Sequence, residues 1–120
     1  QGLIERELDS LAGFDEVRKD FPVHWLNVYG LHDPELLASI GHYFSLHPLV
    51  VEDILNTDQR PKVDVYADYL FVVGRLLDPR RPPHVAGTDQ ISLILARGFV
   101  LSFQERRSGT FDPLRQRLRS

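Results

Sequence analysis

The sequence predicts a three-layer α/β/α domain of the α+β or α/β class, with a central sheet covered by helices on both faces. Strand and helix periodicities alternate along the 120 residues. Residues 69–73, YLFVV, form a continuous aromatic and β-branched run, which favours a strand buried on both sides. This length suits one domain with a substantial core. We therefore expect residues 1–120 to be a single unit.

The first clear elements are a strand and a helix. Residues 21–30, FPVHWLNVYG, alternate between two largely apolar faces and predict a strand that Gly30 ends. Asp33 precedes Pro34, which predicts an N-cap followed by proline at the first helical position. Apolar residues at helical spacing then predict a helix over 34–45. The stretch before residue 21 is less regular, and predicts a short helix bearing Leu8, Leu11 and Phe14.

A second, shorter helix follows immediately. His47 and Pro48 repeat the combination of a capping residue and proline, so the sequence predicts a helix over 48–55. One side of this helix is apolar and carries Val50, Val51, Ile54 and Leu55.

The second half of the chain is predicted as strands and a final helix. The segment 63–77 contains the buried strand, and the proline-rich residues 78–89 predict a loop. Residues 91–95 and 99–103 read as strands around Arg97-Gly98, a turn where glycine accepts positive φ. Asp112-Pro113 then predicts a helix with Leu114 and Leu118 on one side.

Composition excludes several classes of function. The chain has no cysteine, which excludes disulfides, redox thiols and thiolate metal sites. Its longest apolar runs are about six residues, whereas a membrane-spanning helix needs about 20. The formal net charge of −3 argues against a nucleic-acid interface over the whole domain. Five arginines near the end could in principle meet phosphate (Arg106, Arg107, Arg115, Arg117 and Arg119). We favour the interpretation that Arg115 and Arg119 lie one turn apart on a solvated helical face.

The sharpest chemical pattern lies in the second predicted helix. On the helix surface Glu52 and Asp53 fall opposite the apolar side, and Leu49 projects between these two acids. One interpretation is ordinary surface charge, with Leu49 tucked under the first turn. Another is a docking face for a divalent cation, which two adjacent carboxylates hold weakly unless a partner completes the shell. A third is a soluble metal-dependent hydrolase using Glu52, Asp53 and Asp58, although no phosphate loop, nucleophile elbow or zinc helix is present.

Three stretches together resemble one known family. They are HPLVVEDILNTDQRPKVDVYADYLFVVGRLL at 47–77, QISLILARGFVLSFQER at 90–106 and FDPLRQRLR at 111–119, and residues 25–49 fit the preceding strand and helix. They resemble the amino-terminal cytoplasmic domain of the CorA magnesium transport family. The resemblance implies an α/β/α fold with a mixed, largely antiparallel central sheet. It also implies that this chain is a fragment, whose last helix, from about residue 112, continues into a stalk and two membrane helices.

The resemblance also implies a function and a site. Family members form a homopentamer with a funnel on the cytoplasmic side of the membrane, and no catalysis is expected. Asp53 matches the acid that faces an acidic stalk residue of the neighbouring subunit across a divalent ion, and Glu52 is a weaker candidate. The expected ion is Mg²⁺, with Co²⁺, Ni²⁺ or Zn²⁺ as possible replacements, and its binding to the isolated domain should be weak. A zinc-transporting branch of the superfamily is the nearest alternative.

Beyond the neighbouring subunits, the expected partners are few. No nucleic-acid partner is expected. Contact with the membrane should come only through the carboxy-terminal part of the parent protein.

Overall fold

The computed structural model describes residues 13–15, 19, 22–29, 31, 33–76, 89–105 and 112–119. Besides a helical turn at 13–15, three longer helices and five strands run through these residues. In chain order they are β1 (His24–Tyr29), α1 (Pro34–Tyr43), α2 (Pro48–Leu55), β2 (Lys62–Val65), β3 (Tyr69–Leu76), β4 (Asp89–Ala96), β5 (Phe99–Gln104) and α3 (Asp112–Arg119).

The five strands form one mixed sheet in the order β1-β5-β4-β3-β2. β1 pairs in parallel with β5, and the other three pairings are antiparallel. In the centre of the sheet Leu101 lies opposite both Leu26 and Ile94, and Ile94 lies opposite Phe71. The predicted α/β class and the mixed, largely antiparallel sheet are confirmed.

The hydrophobic core lies between one face of this sheet and the helices α1 and α2. Its fully buried members come from both layers: Val50, Ile54, Phe71, Val73, Ile94, Leu101 and Phe103. The opposite face carries exposed apolar side chains, of which Val65 is the most exposed at 79%. The core helices α1 and α2 thus cover one face of the sheet, while α3 leaves Leu114 and Leu118 about half exposed.

The helix boundaries follow the predicted caps closely. Leu36 N–H donates to Asp33 Oδ1 at 3.1 Å, which confirms the N-cap of α1. α1 ends at Tyr43, two residues earlier than predicted, because Ser45 adopts a positive φ of 58° and turns the chain toward α2. α2 spans the predicted residues, and α3 begins at Asp112.

The segment 63–77 differs from its prediction. It contains a hairpin, in which β2 pairs antiparallel with β3, rather than a single strand. β3 is fully buried only on the face that carries Phe71 and Val73, because Leu70 on the other face is 38% exposed. The backbone turns within residues 66–68, and Tyr66 N–H donates to Tyr69 C=O at 2.9 Å. The predicted turn at Arg97-Gly98 is confirmed, with Gly98 at φ +89°. Of the predicted amino-terminal helix only 13–15 are described, and these are helical, while Leu8, Leu11 and most of the loop 78–89 lie outside the described residues.

None of the described helices has the length and apolar character needed to cross a bilayer.

Candidate cation site

Helix α2 is held firmly at its amino terminus. His47 is its N-cap, and His47 Nδ1 accepts from Leu49 N–H at 3.1 Å, which confirms the predicted capping role. The backbone N–H of His47 donates to the hydroxyl of Tyr69 on β3 at 3.0 Å. Val50 and Ile54 are buried beneath the helix. These contacts fix the rotation of α2, and therefore which of its residues face outward.

The outward face of α2 carries the two predicted acids. Glu52 is exposed and Asp53 is partly exposed. Leu49 is 58% exposed, so it does not tuck under the first turn. A single exposed leucine is common on protein surfaces, so the exposure of Leu49 is compatible both with ordinary surface charge and with the predicted docking face.

Asp53 is not alone on this surface. Lys62 Nζ lies 2.6 Å from Asp53 Oδ2 and 3.3 Å from Asp64 Oδ2. The exposed fraction of the side chain is 34% for Lys62, 36% for Asp53 and 42% for Asp64. The hydrogen bond to Asp53 is the main cause that raises the pKa of Lys62 above its ordinary value. An ammonium group therefore already neutralises the predicted metal ligand.

The position of Lys62 follows from the pleat of β2. Side chains of a strand alternate between faces, so Lys62 and Asp64 project on one side while Val63 and Val65 project on the other. Register with β3 places Lys62 opposite Val73 and Asp64 opposite Phe71, on the face that α1 and α2 cover. Lys62 Nζ sits 5.5 Å from the centre of the Phe71 ring. The alternation K-V-D-V at 62–65 is the sequence signal for this strand, which overlaps the start of the longer segment predicted at 63–77.

The loop after α2 forms hydrogen bonds to the backbone at the end of this helix, including the carbonyl of Asp53. Gln59 Nε2 donates to the carbonyls of Asp53 at 2.6 Å and of Asn56 at 2.8 Å. Gln90 Nε2, from β4, donates to the same Asn56 carbonyl at 2.9 Å. The guanidinium of Arg75 donates to Gln59 C=O at 3.1 and 3.3 Å. These bonds add to the backbone bond that Asn56 N–H donates to the Asp53 carbonyl at 3.2 Å, and they hold the end of α2 in place.

The other polar residues of this loop do not join Asp53. Arg60 is exposed and makes no ion pair with Glu52 or Asp53. Asp58 is fully exposed and lies 3.7 Å from Arg75 Nη2. Across the described part of the chain, no three His, Cys, Asp or Glu residues are grouped to hold a metal. Glu52, Asp53 and Asp58, all among the described residues, are thus not grouped in one cluster.

Asp53 fits a divalent cation as one ligand of an incomplete shell. Carboxylate oxygen is the donor that Mg²⁺ prefers, and Asp53 is accessible and already accepts a cationic group. Glu52 adds a second exposed carboxylate on the next residue. An octahedral ion needs more oxygen ligands than these two residues provide, so the remaining ligands would come from water or from another chain.

The same fold occurs in solved structures of CorA and ZntB domains. The soluble domain of CorA from Methanocaldococcus jannaschii superposes with a TM-score of 0.63 at 13% identity, over 96% of this chain and 42% of that one. The cytoplasmic domain of ZntB from Vibrio parahaemolyticus gives 0.62 at 16% identity, over 79% and 41%. The fold is that of the soluble domains of these proteins.

Sequence similarity gives the family. Residues 22–120 match the family described as CorA-like Mg²⁺ transporter protein. The cobalt/magnesium transport protein CorA of Thermotoga maritima is 42% identical over 95 residues, which are 79% of this chain and 27% of that protein. The chain belongs to the CorA-like Mg²⁺ transporter family, and it spans about a quarter of the length of this relative.

Proposed function

We propose that this chain is the cytoplasmic divalent-cation-sensing domain of a CorA-type Mg²⁺ channel. In this proposal Asp53 supplies one carboxylate of a regulatory site, and a neighbouring subunit of a homopentamer supplies the rest. The observation that carries the proposal is the Asp53 carboxylate itself, which is accessible, rigidly supported by the loop after α2 and already bound to a cationic group. Membership in a magnesium transporter family supports the choice of ion.

Electrostatic repulsion provides the coupling between the ion and the pore. Two carboxylates about 4 Å apart, at an effective dielectric constant near 20, repel each other by about 4 kcal/mol. A divalent cation between them reverses the sign of that interaction. High Mg²⁺ would therefore hold neighbouring subunits together and keep the pore closed, and low Mg²⁺ would loosen the interfaces. Repetition at every interface of the ring makes the response to Mg²⁺ cooperative.

The incomplete shell has a consequence for the isolated domain. Because Asp53 and Glu52 leave most ligand positions unfilled, this chain alone should bind Mg²⁺ weakly, with water in the remaining positions. Calorimetry on the isolated domain is expected to give a dissociation constant for Mg²⁺ well above the micromolar range. Micromolar affinity would mean that the domain holds a complete site and needs no partner subunit.

The decisive experiment uses Asp53→Asn in the full-length protein. The substitution keeps the shape of the side chain and removes its charge, so closure by Mg²⁺ should require a much higher concentration while conduction persists. Flux into liposomes measured against internal Mg²⁺ reports both properties. Asp68→Asn is the matched control, because Asp68 is an exposed acid in the turn between β2 and β3. A variant at Asp53 that closes at the same Mg²⁺ concentration as wild type would contradict the proposal.

The identity of the ion needs its own measurement. The fold does not discriminate, because the ZntB and CorA domains superpose on this chain about equally well. Repeating the closure titration with Co²⁺, Ni²⁺ and Zn²⁺ would rank the ions. Closure at lower Zn²⁺ than Mg²⁺, lost in Asp53→Asn, would favour the zinc-transporting alternative.

A further inference from the structure

Lys62 lies where a cation bound to Asp53 would be expected. Its ammonium group is 2.6 Å from Asp53 Oδ2, a short charge-assisted contact. Both residues belong to this chain, so the contact exists without a second subunit. An ion that approaches Asp53 meets a carboxylate whose charge is already balanced.

We propose that Lys62 is a tethered counter-ion that a divalent cation must displace from Asp53, so that Lys62 sets the concentration at which the site fills. This inference rests on the proposed function, because it assumes that Asp53 is the regulatory ligand. When no divalent ion is bound, the ammonium group of Lys62 takes the place of the ion beside Asp53.

The surroundings of Lys62 allow the exchange. Asp64 lies on the same face of β2, two residues along, and its Oδ2 is 3.3 Å from Lys62 Nζ. A lysine released from Asp53 therefore keeps a carboxylate partner and does not become an unpaired charge. The side chain is one-third exposed and long, so its head can swing between the two acids without moving the strand.

Charge repulsion gives the size of the effect. A divalent ion about 5 Å from an ammonium group in solvent-like surroundings is disfavoured by an energy equivalent to roughly a tenfold loss in affinity. Removing the charge of Lys62 should therefore lower the Mg²⁺ concentration that half fills the site by about tenfold. The shift should depend on the charge of Lys62 and not on its stem, which extends toward Phe71.

The test is a Mg²⁺ titration of the thermal unfolding midpoint of the purified full-length protein, at constant ionic strength. Binding to the folded state raises this midpoint, so the titration reports occupancy without measuring transport. The variants are Lys62→Gln and Lys62→Met, the second of which keeps an unbranched apolar stem beside Phe71. Lys19→Gln is the matched control, because it removes the same charge from an exposed lysine.

Each outcome decides one question. We expect both Lys62 variants to respond at about tenfold lower Mg²⁺, Lys19→Gln to match wild type, and Asp53→Asn to lose the response. An Asp53→Asn response identical to wild type would overturn the proposed function. Loss of response in Asp53→Asn, together with Lys62 variants that need as much Mg²⁺ as wild type, would overturn the role of Lys62 and leave the sensor intact.

Discussion

Gly41 and Val51 bring the two core helices into close contact. A β-carbon added at Gly41 on α1 would lie 2.6 Å from Cγ2 of Val51 on α2. No side chain larger than hydrogen fits there without a shift, because the branched valine cannot rotate freely within the helix. The absence of a side chain at Gly41 therefore sets how closely α2, with Asp53 on it, approaches α1.

Gly41→Ala should lower the free energy of unfolding by about 1 kcal/mol. Alanine improves helix propensity by about 1 kcal/mol, but overpacking against Val51 costs about 1–3 kcal/mol. Chemical denaturation of Gly41→Ala, Val51→Ala and the double variant measures the coupling. In the Val51→Ala variant, Gly41→Ala should become stabilising. A double-mutant cycle that gives no coupling energy between the two sites would refute the close contact.

Two buried serines should respond in opposite ways to truncation. Ser102 Oγ accepts from Trp25 Nε1 at 2.9 Å and donates to Asn27 Oδ1 at 2.9 Å, so Ser102→Ala should cost about 1–3 kcal/mol. Ser92 Oγ is equally buried but has no hydrogen-bond partner among the described residues. Ser92→Ala should therefore be neutral or stabilising by up to about 1 kcal/mol. Urea unfolding of both variants checks the contrast, and equal losses would contradict it.

Stability should fall at alkaline pH because of two neighbouring groups. The hydrogen bond to Asp53 raises the pKa of Lys62, and burial, followed by the nearby Tyr69 and Asp64, raises the pKa of Tyr66. A raised pKa in the folded state means that the folded chain holds its proton more tightly than the unfolded chain. The resulting stability is complete below the unfolded value and is lost as pH rises through the folded one, above about pH 10.

Variants at these groups separate their contributions. Tyr66→Phe and Lys62→Met should each flatten the decline of the unfolding free energy above about pH 10, as measured by urea unfolding at stepped pH. Lys19→Gln serves as the control for a lysine at an exposed position. The variant that carries both Tyr66→Phe and Lys62→Met should show the flattest decline. If its unfolding free energy falls with pH as steeply as that of wild type, other groups cause the decline.

Gln59 should matter more than its position in a loop suggests. Its amide bonds to the carbonyls of Asp53 and Asn56, so Gln59→Ala removes two hydrogen bonds at the end of α2 and should cost about 1–2 kcal/mol. The exposed Gln116 on α3 is the matched control, and Gln116→Ala should change stability by less than about 0.5 kcal/mol. Equal effects of the two substitutions would show that the hydrogen bonds from Gln59 to the carbonyls of Asp53 and Asn56 are not formed in solution.

Much of the local structure was predictable because its causes are local. Asp33 and His47 cap their helices through their own side chains, and Gly98 takes the positive φ that its turn requires. These effects act over three or four residues, so a sequence pattern reveals them directly. The hairpin of β2 and β3 was the exception, because its short strand follows a polar turn and precedes a stronger apolar run.

The amino-acid sequence by itself determined the class of fold, the helix starts and the two acids on the outward side of α2. Only the tertiary structure decided that β1 pairs in parallel with β5 and that Lys62, not Arg60, binds Asp53. The reason is physical. Strand order and register bring together residues far apart in the chain, and the free energy that selects them comes from burying Phe71, Leu101 and their neighbours, which no short pattern contains.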